Sequence, residues 1–161
     1  GVVATDVSGV GTARSALGAC GYGGDKAIFA YGSTNVSNLV NNSGVVASDT
    51  TGVGTSRLYA VACSYGTDKG IFVYGYNGSS NVSMSNLVSN SGVISSDVTG
   101  VGTARRVAAA TAYGVGTGIV GYGYTGAISN VSNLISDAGV VATDISLVGT
   151  GRTQLAACTF G

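Results

Sequence analysis

The chain alternates short apolar runs with clusters of Gly, Ser, Thr and Asn, and no stretch carries the period of an amphipathic helix. The first full cycle sets the pattern. Small residues from Ala16 to Tyr22 predict a strand, a. Gly23-Gly24-Asp25 predicts a tight turn, and Ala27 to Tyr31 a second strand, b. Strand b is apolar at nearly every position, which predicts burial on both faces. After a variable loop, strand c is expected near Val36 to Val40. The turn Asn41-Asn42-Ser43-Gly44 then leads to strand d near Val45 to Asp49, with Gly44 supplying positive φ for a hairpin.

This cycle is a repeat. Gly1-Val-Val-Ala-Thr-Asp6 returns at Gly44 to Asp49, Gly92 to Asp97 and Gly139 to Asp144, at spacings of 43, 48 and 47 residues. A Gly-Thr-x-Arg element follows each time, ending at Arg14, Arg57, Arg105 and Arg152. Strand a ends in an aromatic and Gly: Tyr22-Gly23, Tyr65-Gly66, Tyr113-Gly114 and Phe160-Gly161. Strand b closes on Tyr31-Gly32, Tyr74-Gly75 and Tyr122-Gly123, and Asn38-Leu39, Asn86-Leu87 and Asn133-Leu134 mark strand c. The chain therefore reads as one repeat domain with units 1–43, 44–91, 92–138 and a partial 139–161.

Four short strands in about 47 residues predict an all-β fold of four-stranded antiparallel blades, a β-propeller, ahead of a β-solenoid with its shorter coils. The small residues of strand a suit the crowded axis where blades converge. Cys20, Cys63 and Cys158 share one position in that strand with Thr111. Equivalent positions on neighbouring blades are too far apart for a disulfide, so three free, inert, buried thiols are expected. Order along the chain runs from a leading d to a trailing a. Closing a ring is expected to need more chain or more copies, unless the units themselves form a compact small domain.

Composition narrows the chemistry. The 161 residues include 28 Gly but no His, Pro, Trp or Glu. The lack of His excludes Ser-His-Asp and Cys-His catalysis and His-ligated zinc. Seven bases balance seven acids, which removes any general attraction to nucleic acid. Gly, Ser, Thr and Asn break every apolar run short of a membrane helix, and no signal peptide is expected among these residues. The Gly-x-Gly stretches do not precede a helix, so they are turns and not phosphate loops.

Most charges belong to the repeat. Asp6, Asp49, Asp97 and Asp144, with Arg14, Arg57, Arg105 and Arg152, are its structural framework, and are expected to bond to each other or to loop carbonyls and tie blade to blade. Calcium at the Asp set and an anion at the Arg set are the functional alternatives; one Asp per unit is few for calcium. Asp25-Lys26 and Asp68-Lys69 read as solvated turns, leaving Arg106 and Asp137 outside the repeat. Of the nine Tyr, Tyr22, Tyr65, Tyr113, Tyr31, Tyr74 and Tyr122 fall on two repeat positions and read as packing. Tyr76 and Tyr124 flank variable loops, so the candidate ligand or receptor loops are Tyr76, Asn77, Tyr124 and Thr125. No catalytic residue, cofactor site or metal site is expected.

The order of Arg, apolar strand ending in Gly, and turn before the last strand resembles the kelch repeat, with Arg14, Arg57, Arg105 and Arg152 at its Arg position and Gly32, Gly75 and Gly123 at one of its paired glycines. A Tyr stands at the other glycine, and Val replaces the usual Trp of the last strand. The fuller pattern, Asp-Lys-x-Ile-Phe-x-Tyr-Gly through Gly-Val-Gly-Thr-x-Arg, resembles repeats of virion and tail-associated proteins of environmental tailed phages. That resemblance implies a non-enzymatic structural part of a virus particle, virion-borne or extracellular, with other protein subunits as partners. The alternative is a lectin-like propeller that binds a host-surface glycan or receptor through its loops. Nucleic acid and membrane insertion are expected of neither.

Overall fold

The computed structural model describes residues 5–146 and 149–159. It is all β, with no helix among the described residues. Three antiparallel sheets follow one another along the chain. The first orders β1 (Gly18–Tyr22), β2 (Lys26–Ala30) and β3 (Ser37–Val40). The second orders β4 (Val61–Tyr65), β5 (Lys69–Tyr76) and β6 (Asn81–Val88). The third orders β7 (Ala109–Tyr113), β8 (Thr117–Gly121), β9 (Val131–Ile135) and β10 (Ile145–Ser146). Strands a, b and c thus form in every full unit, in one register: Cys20 faces Ile28, Cys63 faces Ile71 and Thr111 faces Ile119.

Strand d differs from expectation. After β3 and β6 it reduces to single bridges, Val40 with Val46 and Ser37 with Thr50, then Val88 with Ile94 and Ser85 with Val98. Among the described residues a ladder forms there only after β9, at Ile145–Ser146, beyond the span predicted. Asp49, Asp97 and Asp144 turn their carboxylates back onto the preceding unit's Thr and Asn. The leading d includes residues 1–4, and the closing aromatic pair is Phe160-Gly161; both lie outside the described residues.

The sheets stand in a row, with β1 against β4 and β5, and β4 against β7 and β8. The row is open, and the sheets do not close into a ring. Two cores fill the spaces between neighbours. The first joins Cys20, Tyr22, Ile28 and Tyr31 to Ala60, Phe72 and Val88. The second joins Cys63, Tyr65, Ile71 and Tyr74 to Ala108, Val120 and Ile135. Strand b is consequently buried on both faces only in the middle sheet: Phe72 is 0% exposed, whereas Phe29, its counterpart in the first sheet, is 37% exposed.

Cys20 and Cys63 are buried and free, and each sulfur presses on a glycine of the next unit. A Cβ added at Gly70 would lie 2.5 Å from Cys20 Sγ, and one at Gly118 would lie 2.7 Å from Cys63 Sγ. Burial pushes both thiols up to about 12. Cys158 is free but exposed, against the expectation of three buried thiols. Among the described residues no strand pairs with residues 156–159, unlike the strands that hold Cys20 and Cys63.

Candidate functional site

The same side chains lock each unit to the start of the next. Thr12 donates its amide (3.0 Å) and hydroxyl (2.7 Å) to Asp49 Oδ2. Thr55 does the same to Asp97, at 3.0 and 2.6 Å, and Thr103 to Asp144, at 3.0 and 2.5 Å. An Asn of strand c supplies the third donor: Asn38 to Asp49, Asn86 to Asp97 and Asn133 to Asp144, at 2.8 to 2.9 Å. Burial acts to raise the Asp97 and Asp144 carboxyls, but the Thr and Asn donors outweigh it and hold both below the usual range. At Asp49 the Thr12 hydroxyl and then Asn38 lead the downward shift.

The framework Arg residues serve carbonyls and rings more than carboxylates. Arg57 donates from Nε to the Tyr74 carbonyl and Arg105 to that of Tyr122, both at 2.8 Å. Arg105 Nη2 donates to Asn133 Oδ1 at 2.6 Å, and Arg14 Nη2 to Asn38 Oδ1. Only Arg105 approaches its Asp, at 3.9 Å from Asp144. Three of the four guanidinium groups sit over a Tyr of the preceding unit: Arg57 over Tyr31 at 4.0 Å, Arg105 over Tyr74 at 4.1 Å and Arg152 over Tyr122 at 5.4 Å. Neighbouring units are joined twice, by Arg over Tyr and by the Thr and Asn donors on Asp. Asp6 is exposed.

One set of positions where the units differ gathers at one place. The two residues after each framework Arg are Ser15-Ala16, Leu58-Tyr59, Arg106-Val107 and Thr153-Gln154. Three of these pairs, with Tyr76 and Tyr124, line a cleft of ≈ 580 Å³. The second residue of each pair has left-handed backbone: φ is 53° at Ala16, 58° at Tyr59, 47° at Val107 and 56° at Gln154. Such a conformation is uncommon without glycine and least expected at β-branched Val107. Backbone bonds across units help hold it, from Tyr59 N to Ala16 O at 2.7 Å and from Gln154 N to Val107 O at 3.1 Å.

Of the predicted loop residues, Tyr76 and Tyr124 line the cleft and Asn77 and Thr125 do not. Asn77 Oδ1 accepts from the amides of Ser79 and Ser80, shaping its own turn. Thr125 bonds to the Ala127 carbonyl through its amide and hydroxyl. Sequence reasoning missed Arg106, Tyr59 and Gln154 as site residues. Their signal was their disagreement between aligned units, which is visible only when the repeat is read for its differences.

Arg106 centres the cleft. Its guanidinium carbon lies 4.6 Å from the Tyr76 ring centroid and 5.2 Å from that of Tyr124. One N–H donates to Asn81 Oδ1 at 3.4 Å, and Asn81 in turn donates to the Tyr124 carbonyl at 3.1 Å. Arg106 is the one charged residue lining the cleft. No group of three or more His, Cys, Asp or Glu side chains is placed to hold a metal among the described residues. No protein-family model and no curated protein matches the chain.

Proposed function

We propose that the protein is a non-enzymatic structural module of a larger assembly, a kelch-like propeller built from repeats of this kind, with the virion or tail of a phage as the setting that its sequence pattern suggests. The observation that carries this reading is where the charges go. Asp49, Asp97 and Asp144, like Arg57 and Arg105, join neighbouring units, and Asp25-Lys26 and Asp68-Lys69 pair within turns. Little ionisable chemistry is left to converge on a reacting group. Val45, Val93 and Val140, one position in three units, are 60%, 65% and 64% exposed, an apolar row suited to packing against neighbours. Light scattering on the purified chain tests the reading. A mass that is a multiple of 15.7 kDa is expected, and a monodisperse 15.7 kDa species would overturn it.

A second reading, recognition of a glycan or receptor by the loops, is favoured by the cleft. The framework is repeated, whereas the pairs after its Arg residues, three of which line the cleft, are not, as expected where a regular scaffold presents a variable face.

A further inference from the structure

We propose that the cleft around Arg106 binds a carboxylate-bearing sugar, such as a uronic or sialic acid residue of a glycan. This rests on the recognition reading and is independent of whether the chain assembles.

Arg106 stands outside the repeat framework. Its neighbours in sequence alignment, Ser15, Leu58 and Thr153, carry no charge, so the framework does not require a cation here. No carboxylate lies within ion-pair distance of it among the described residues. The guanidinium has five N–H donors, and a single long bond to Asn81 uses one. The Tyr76 and Tyr124 rings lie against the guanidinium carbon, at 4.6 and 5.2 Å, and their contact uses no N–H hydrogen bond. The rings and Asn81 therefore hold the group in place while leaving N–H donors for a ligand. A fixed, half-buried guanidinium edge is the geometry that takes a carboxylate through two parallel hydrogen bonds.

The rest of the lining selects a sugar over a simple anion. Tyr59 is 42% exposed at the cleft and offers a flat apolar face with a hydroxyl at its rim. Gln154 adds an amide that can both donate and accept, as sugar hydroxyls require. A volume of ≈ 580 Å³ lies within the usual range for small-molecule sites and admits one or two sugar rings. One cation in a chain of zero net charge is too little for a nucleic acid backbone.

The test uses the full chain in its native assembly state and two matched probe pairs, sialyllactose against lactose and methyl glucuronide against methyl glucoside, with binding followed by ligand-observed NMR and calorimetry. The acidic member of at least one pair is expected to bind about tenfold tighter than its neutral partner, and Arg106→Gln to remove that preference. Arg106→Lys, which keeps charge but not the fork, is expected to restore only part of it. A melting curve for each variant separates lost binding from lost fold; should Arg106→Gln not fold, Tyr59→Ala and salt dependence of the wild type carry the test. Equal binding of acidic and neutral sugars would overturn the carboxylate assignment while leaving recognition standing. An acid preference untouched by Arg106→Gln would overturn the site. No binding of any probe would overturn the proposal and the recognition reading together, with the light-scattering result unaffected.

Discussion

The guanidinium of Arg57 lies 4.0 Å above the ring of Tyr31, and both side chains are fully buried. Arg57 opens the second unit and Tyr31 ends strand b of the first, so this stack is the joint between them. Its supports come from both sides. Tyr31 donates its hydroxyl to the Val53 carbonyl at 3.4 Å, and the Gly32 amide donates to the Arg57 carbonyl at 3.1 Å. Phe72 meets the Tyr31 ring edge-on at 5.3 Å. Arg105 and Tyr74 repeat the arrangement one unit later, where Tyr74 donates to the Val101 carbonyl at 3.1 Å.

Removing a joint is expected to cost more than removing its exposed counterpart. Arg57→Ala leaves a cavity beneath Tyr31 and strips the Tyr74 and Phe72 carbonyls of their donors. The expected loss is about 3–5 kcal/mol in a denaturant titration. Arg152, exposed and 5.4 Å from Tyr122, is expected to lose under about 1 kcal/mol on the same change. Equal losses at the two sites would show that the stack does not hold the units together.

Cys20 and Gly70 share one space across the first interface. Gly70→Ala places a methyl against Cys20 Sγ and is expected to cost about 1–3 kcal/mol. Cys20→Ala opens that space at a cost of about 1 kcal/mol. The double variant is expected to be more stable than the sum of the two single changes predicts, because the new methyl occupies the vacated volume. Strict additivity in thermal melts would refute the contact.

Thiol labelling at pH 8 is expected to modify Cys158 rapidly and Cys20 and Cys63 only after unfolding. Burial has raised the two buried thiols to about 12, so neither presents thiolate at that pH. A colorimetric thiol count of one per chain in buffer, rising to three in denaturant, checks this. Three rapid labels in buffer would contradict the packing of the two cores.

Acid is expected to destabilise the fold through the unit locks. Asp49, Asp97 and Asp144 have carboxyls lowered below the ordinary 3.8, so their stabilisation is complete above that value and is lost as pH falls through the lowered ones. The melting temperature is expected to hold from pH 7 to about pH 5 and to fall below about pH 4. Asp97→Asn is expected to lose about 1–2 kcal/mol at pH 7 and to approach the wild type at pH 2, since both then lack the carboxylate. A constant difference between the two across that range would refute the role of ionisation.

Strand order within a unit was legible because it rests on local chemistry. Gly and Asn mark the turns, and apolar runs of strand length lie between them, so β1, β2 and β3 fall within a residue or two of their predicted spans. The repeat likewise named the framework Asp and Arg residues without any coordinates. It did not tell their partners. The sequence distance from Thr55 to Asp97 is 42 residues, and Thr, Asn and Asp become neighbours only when strand c folds back beside the start of its unit. The burial of Phe72 and the exposure of Phe29, two copies of one residue in one pattern, depend on whether a neighbouring sheet covers that face. The cleft is the furthest from sequence: Tyr59, Tyr76, Arg106, Tyr124 and Gln154 come from three units and meet only because the units stack in one register. Sequence alone determined the unit, its turns and its internal period, because those follow from residues close along the chain. Tertiary structure decided the joints, the burial and the cleft, because those are contacts between copies, and identical copies are made unequal only by what packs against them.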